Sequence, residues 1–249
     1  MRNYKFGFTL TEALLAMAIL GVIGALVIPQ LVTNTQKNEA GILLGNTVEQ
    51  ISLGVKNLIQ HANNQSDDGS YFDTYSSITR GDLFGAGVNN AGDLVRGTNL
   101  FDIGKAFFGV ENLSDTDNDA YSVRNYAGGN DGLSGAINGA QKYRYEKNGA
   151  YIAILPTANN ANELDTIIDV IAIDVNGKNN PNKLGKDVFM FGLTNEGNMI
   201  PAGTQRFSNA VANNVVGGSI PTNGCNGNNV TNGLSCTARV VKDGFKIKY

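Results

Sequence analysis

Phe6-Gly7-Phe8-Thr9-Leu10-Thr11-Glu12 opens an apolar run that extends from Ala13 to Ile28 and closes at Pro29. Ahead of it stands a short polar leader, Met1 to Lys5, carrying Arg2 and Lys5. The 21 residues from Phe8 to Ile28 make, at about 1.5 Å each, roughly 32 Å of helix, enough to cross a hydrocarbon core once. Glu12 breaks a purely lipid-facing reading, because a carboxylate inside a bilayer is costly and asks for a partner. A secretory signal would carry a small-residue cleavage site after its apolar core. Here Val27-Ile28-Pro29-Gln30-Leu31-Val32-Thr33 has no A-x-A-like pattern, and the small residue, Gly7, precedes the core. A plain stop-transfer anchor fits the run but leaves Glu12 unexplained.

Gly7-Phe8-Thr9-Leu10-Thr11-Glu12 with its apolar continuation resembles the N-terminus of the type IV pilin and type II secretion pseudopilin superfamily. The resemblance is strong over residues 1–40 and weak beyond. It implies that a membrane aspartyl peptidase, the prepilin peptidase, cuts between Gly7 and Phe8 on the cytoplasmic side, and that Phe8 is then N-methylated. It makes Glu12 the assembly glutamate and places Pro29 where many members have a helix-kinking proline. It further implies a single-pass protein of the bacterial inner membrane with its head outside the cytoplasm. Such a subunit joins other pilin-like subunits, through an inner-membrane assembly platform, in a periplasmic pseudopilus or a cell-surface pilus. Leader removal would leave an amine on Phe8, one helical turn from Glu12. A buried charge left alone is costly and a paired one tolerable, so a subunit entering a helical bundle is drawn to the register that pairs amine with carboxylate, its own or a neighbour's.

Beyond residue 62 there remain 187 residues, enough for one domain with a sizeable core. The chain has one His, His61, near an expected helix end, which speaks against His-based metal sites and a Ser-His-Asp triad. A net charge of −3 without a Lys/Arg cluster speaks against a dedicated nucleic-acid surface. Gly (31) and Asn (33) are in excess, which favours turns and long surface loops. Cys225 and Cys236 are too few for a structural zinc site. If the bulk of the chain is exported, a disulfide closing a short loop is the natural reading, with two reduced thiols the alternative. The pilin resemblance points the same way, since many pilins carry a C-terminal disulfide loop.

Leu44, Val48, Ile51, Val55, Leu58 and Ile59 recur at three- and four-residue steps, so the helix is expected to continue from Phe8 to about Ala62 with one apolar stripe. Pro29 removes a backbone donor and should bend it. Gly41, Gly45 and Gly54 either weaken it or permit close approach to the head. Residues 63–149 are loop-rich, with short helical pieces at 78–84 and 101–108. Asp115, Asp117 and Asp119 alternate as calcium ligands do, but Ala120 and Tyr126 occupy the positions an EF-type loop gives to Gly and Glu. Strands are expected at 150–155, 167–175 and 187–193, followed by a turn at Asn195-Glu196-Gly197-Asn198. A terminal hairpin is expected from 238–241 and 244–248 around Lys242-Asp243-Gly244.

Between two of those strands lies Asp174-Val175-Asn176-Gly177-Lys178-Asn179-Asn180-Pro181-Asn182-Lys183-Leu184-Gly185-Lys186-Asp187-Val188-Phe189. It resembles a D-x-N-G…P-N-x-x-G-x-D-x-F connection of bacterial pseudopilin-like proteins. Oxygens of Asp174, Asn176, Asn180, Asn182 and Asp187 can surround a calcium ion, which takes six to eight oxygen ligands. The competing reading is a rigid loop in which these side chains cap their own backbone.

The expected organisation is a prepilin leader (1–7), a transmembrane or filament-core helix half (8–29), an amphipathic helix half (30–62) and a globular β head (63–249). The fold class is α+β, a long N-terminal helix packed on an antiparallel sheet with long loops. The expected function is a structural pilin-like subunit of a type IV pilus or type II secretion pseudopilus. The alternative is a single-span anchored binding domain that never polymerises. An anchored hydrolase finds no nucleophile–base constellation, and no cofactor is implied apart from the calcium just named.

Overall fold

A computed structural model describes residues 9–63, 87–88, 94–95, 108–114, 121–130, 132–157, 166–211, 225 and 233–249. Gly7, Phe8, the acidic stretch 115–119 and the expected helical pieces (apart from Phe108) lie outside the described residues. The chain divides into two compact units, Met1–Glu39 and Ala40–Tyr249.

The first unit holds the start of helix α1 (Leu10–Asn63). A helix meets its backbone hydrogen-bonding needs internally, so it can form without a core beside it. Leu10, Leu14, Leu15, Met17 and Leu20 are all exposed, Leu10 to 80%. By length and composition α1 is able to cross a membrane, and none of its most apolar stretch is buried. Pro29 lies inside the helix. It has no N–H to donate, and the Thr33 and Thr35 hydroxyls donate to the carbonyls of Pro29 and Leu31, both at 2.9 Å.

In the second unit a two-stranded ribbon pairs β1 (Gly87–Val88) with β2 (Leu94–Val95). The main sheet then follows in chain order: β3 (Val110–Asn112), helix α2 (Gly132–Gly139), β4 (Lys142–Tyr145), β5 (Tyr151–Pro156), β6 (Ile167–Asp174), β7 (Val188–Thr194) and β8 (Met199–Pro201). Helices α3 (Gln205–Val211) and α4 (Cys236–Lys242) complete the described elements. The sheet is an antiparallel meander in the order β3-β4-β5-β6-β7-β8. The fold is therefore α+β.

Every residue of β6 and β7 is buried, so the usual in–out alternation of an antiparallel strand is missing. The cause is cover on both faces. On one, Leu44, Ile51, Val55 and Leu58 of α1 meet Tyr143, Ile152, Ile171, Phe189 and Phe191. Phe207 of α3 and Leu133 and Ile137 of α2 join Val170, Ala172 and Met190 on the other. Four of the six residues in the expected helix stripe are thus core, and Val48 packs against it.

The small residues of α1 let the chain approach closely. A Cβ on Gly41 would collide with the Phe245 carbonyl, and one on Gly45 would press the Phe245 ring at 3.2 Å. Polar ties add to this seat. The Ser52 hydroxyl donates to the Gly197 carbonyl at 2.7 Å, and the Asn148 amide donates to the Thr47 hydroxyl at 2.8 Å.

The expected terminal hairpin is not formed; residues 236–242 are helical. Two of its signals have a second reading. Cys236, Thr237 and Val240 fall on one face at helical spacing and are buried, which outweighs the β preference of Val240 and Val241. Asp243-Gly244, a good hairpin turn, serves equally as a helix end, with Gly244 at φ 69°. The Phe245 N–H then donates to the Val240 carbonyl at 2.9 Å.

Candidate functional site

Two groups of residues carry possible function. The first is the start of α1. The Glu12 carboxylate accepts hydrogen bonds from the Thr9 N–H at 2.9 Å and the Thr9 hydroxyl at 2.7 Å. In return the Glu12 N–H donates to the Thr9 hydroxyl oxygen at 3.3 Å. Thr-x-x-Glu is a capping box: each side chain satisfies the other's backbone at a helix start, where N–H groups lack intrahelical partners. Thr-Leu-Thr-Glu was legible as that signature, and sequence reasoning weighed Glu12 only as the partner of an amine. Gly7 and Phe8 are outside the described residues, so the distance from amine to carboxylate is not part of the geometry.

The second group is the connection between β6 and β7. Asp174, at the end of β6, is buried; its carboxylate accepts from the Tyr121 hydroxyl at 2.6 Å and from the Asn176 N–H at 3.1 Å. Asp187, just before β7, accepts from the N–H groups of Asn182 at 2.8 Å and Lys183 at 2.6 Å, and from the Asn176 amide at 3.3 Å. The Val175 N–H donates to the Asp187 carbonyl at 3.0 Å, which closes the connection at its base. A neighbouring segment holds its far side, as the Arg124 N–H donates to Asn182 and the Leu184 N–H to Arg124, both at 2.9 Å.

Gly177 and Gly185 are required by close contact as well as by positive φ. A Cβ at Gly177 would meet the Gly149 carbonyl at 2.6 Å, and one at Gly185 the Gly233 carbonyl at 2.8 Å and Cys236 at 3.0 Å. Cys225 and Cys236 are bridged, and the Arg239 guanidinium donates to the Cys225 carbonyl at 3.1 Å.

Burial is the main force pushing the Asp174 carboxyl well above its usual range, and the charge of Asp187 adds to it. Asp187 is also raised by burial, which outweighs the backbone donors of Lys183 and Asn182. The Tyr121 phenol is pushed well up, first by burial and then by the Asp174 charge.

Of the five oxygen donors expected from sequence, the fold gathers Asp174, Asn176, Asn182 and Asp187. Asn180 is exposed and precedes Pro181 through a cis peptide bond. Tyr121 was missed, because it lies 53 positions from Asp174 and only the tertiary fold joins them. Among the described residues no three His, Cys, Asp or Glu side chains form a metal-holding group. Any cation here would rest on two carboxylates plus amide and main-chain oxygens, a donor set suited to a hard ion and unsuited to zinc.

A profile of the prokaryotic N-terminal methylation motif matches residues 2–28. Neither a curated protein nor a solved structure matches the chain. The matched segment runs from Arg2 through the capped start of α1 and the apolar stretch up to the residue before Pro29. Over residues 2–28 the chain carries the N-terminal methylation signature of the type IV pilin and pseudopilin family, and with it the mark of a pilin-like protein processed by prepilin peptidase.

Proposed function

We propose that this chain is a structural subunit of a type IV pilus or type II secretion pseudopilus. The prepilin peptidase removes residues 1–7, Phe8 is methylated, and the subunit waits in the inner membrane with its head outside the cytoplasm. An assembly platform then moves it into a polymer of pilin-like subunits, where Glu12 pairs with a freed Phe8 amine. The observation that carries this reading is the methylation signature leading into a helix whose most apolar stretch is unburied among the described residues. Exposed apolar area of that extent needs lipid or other helices around it. The family bearing the motif is structural rather than catalytic, and the roles given to Gly7, Phe8, Glu12 and Pro29 follow from it.

Two substitutions test it in the native host. Gly7→Leu should block leader removal, seen as a retained 1–7 mass in intact-mass spectrometry. Glu12→Val should leave processing intact and reduce the protein in sheared surface or periplasmic filaments at least tenfold. Normal processing of Gly7→Leu would sink the proposal. Unchanged behaviour of Glu12→Val would favour an anchored binding domain that does not polymerise.

A further inference from the structure

The C-terminal segment reverses the charge of the unit it belongs to. Residues 40–249 carry 16 Lys and Arg against 20 Asp and Glu. Four of those cations, Arg239, Lys242, Lys246 and Lys248, fall within the ten positions 239–248, beside a single acid, Asp243. The other 200 positions hold 12 cations and 19 acids, so a net charge of −7 there contrasts with +3 in the segment. Such asymmetry is a statement about partners rather than about fold.

The fold turns that charge outward. Phe245 and Ile247 pack into the core shared with α1, while Lys246 and Lys248, alternating with them, are exposed. Lys242, at the end of α4, is exposed as well. Phe245 pins the segment: its carbonyl and ring occupy the space a Cβ would take at Gly41 and Gly45, and the Val240 carbonyl accepts from its N–H. Arg239 is engaged with the Tyr249 ring and the Cys225 carbonyl. Lys242 and Lys246 form no ion pair among the described residues. Lys248 stands 3.7 Å from Asp243, an exposed pair of little strength that leaves the ammonium available.

Chain length keeps this surface near a bilayer. Only residues 33–40 separate Val32, the end of the apolar run, from Gly41 beneath Phe245, and eight residues span at most about 30 Å even when fully extended. A short tether holds the lysines at high effective concentration beside the membrane, so contacts too weak to bind from free solution become populated. An anionic bilayer repels the acidic remainder of the head and attracts the basic segment. We propose that Lys242, Lys246 and Lys248 form a landing surface for the anionic phospholipid headgroups of the membrane that holds α1. The proposal rests on the anchoring described under the proposed function and adds to it the face on which the waiting subunit meets the bilayer. The tether favours lipid over nucleic acid, whose phosphates these three lysines would have to capture from free solution.

The test is the rate of lysine acetylation, followed by peptide mass spectrometry, in the full-length protein reconstituted into lipid nanodiscs. Discs of phosphatidylcholine alone are compared with discs in which phosphatidylglycerol replaces part of it. The anionic lipid should slow labelling of Lys242, Lys246 and Lys248 by about threefold or more, and leave the exposed Lys147 and Lys178 unchanged. About 1 M NaCl, where the screening length falls to about 3 Å, should abolish the difference. The double variant Lys242→Glu, Lys246→Glu, altered only at exposed side chains, should return Lys248 to its rate in phosphatidylcholine. Equal labelling of the three lysines in the two lipids, equal slowing of Lys147 and Lys178, or protection that survives the salt would each overturn the proposal. Duplex DNA that protects them in phosphatidylcholine discs more than phosphatidylglycerol does would also overturn it, assigning the surface to nucleic acid. A chain that fails to enter the discs defeats the anchoring and this inference with it; one that enters without protection of the three lysines defeats this inference alone.

Discussion

The two stretches of α1, before and after residue 40, are the same secondary structure made by opposite means. In the first, large apolar side chains face outward and the bonds are local: the backbone ladder, the Thr9–Glu12 cap and the Thr33 and Thr35 hydroxyls on the carbonyls one turn back. In the second, Leu44, Ile51, Val55 and Leu58 are sunk into a core shared with the sheet. The difference teaches that a helix can be specified locally for use elsewhere: the first stretch presents apolar side chains that the described residues leave uncovered, the second presents side chains that the sheet covers.

That contrast can be broken by substitution. The largest effect is expected at Ile51→Ala, which empties space in a closed core and should cost about 2–5 kcal/mol in denaturant unfolding of the head. Leu20→Ala, at a residue 68% exposed, should move the same transition by less than about 0.5 kcal/mol. Equal losses at both positions would show that the head depends on the first stretch.

A smaller effect separates two glycines. On propensity alone, Gly→Ala in a helix gains about 1 kcal/mol. A Cβ at Gly21 meets nothing within 4 Å, so Gly21→Ala should strengthen the helix, read as higher helicity by circular dichroism in detergent. Gly41→Ala should instead destabilise the head by about 1–3 kcal/mol, since its Cβ must displace the Phe245 backbone. The smallest effect belongs to Thr9→Ala, which removes the hydroxyl from the capping box. It should speed amide hydrogen exchange in the first turn of α1 and leave exchange in β6 and β7 unchanged.

What could be read in advance follows the range of the interactions. The Gly7–Glu12 motif and the apolar run are contiguous, so their meaning survives without tertiary knowledge. The runs in β5, β6 and β7 announced themselves because strands covered on both faces need unbroken apolar sequence. Lys142-Tyr143-Arg144-Tyr145, which forms β4, gave no such run, although its tyrosines are buried. α4 misled because Val240, Val241 and Asp243-Gly244 suit a hairpin as well as a short helix, and burial of Thr237 and Val240 decides between them. In the candidate site Asp174, Asn176, Asn182 and Asp187 stand close together in the sequence and could be grouped from spacing, whereas Tyr121, 53 positions from Asp174, could not.

Phe245 and Ile247 have a consequence for the order in which the molecule is made. The helix seat at Gly41 and Gly45 is finished by a segment about two hundred positions later in the chain, the kind of remote closure that slows folding. A ribosome or translocase delivering the protein from its N-terminus thus releases the helix long before its lid exists. Until Phe245 and Ile247 arrive, Leu44 and Ile51 have only part of their shelter, and this side of the core cannot close.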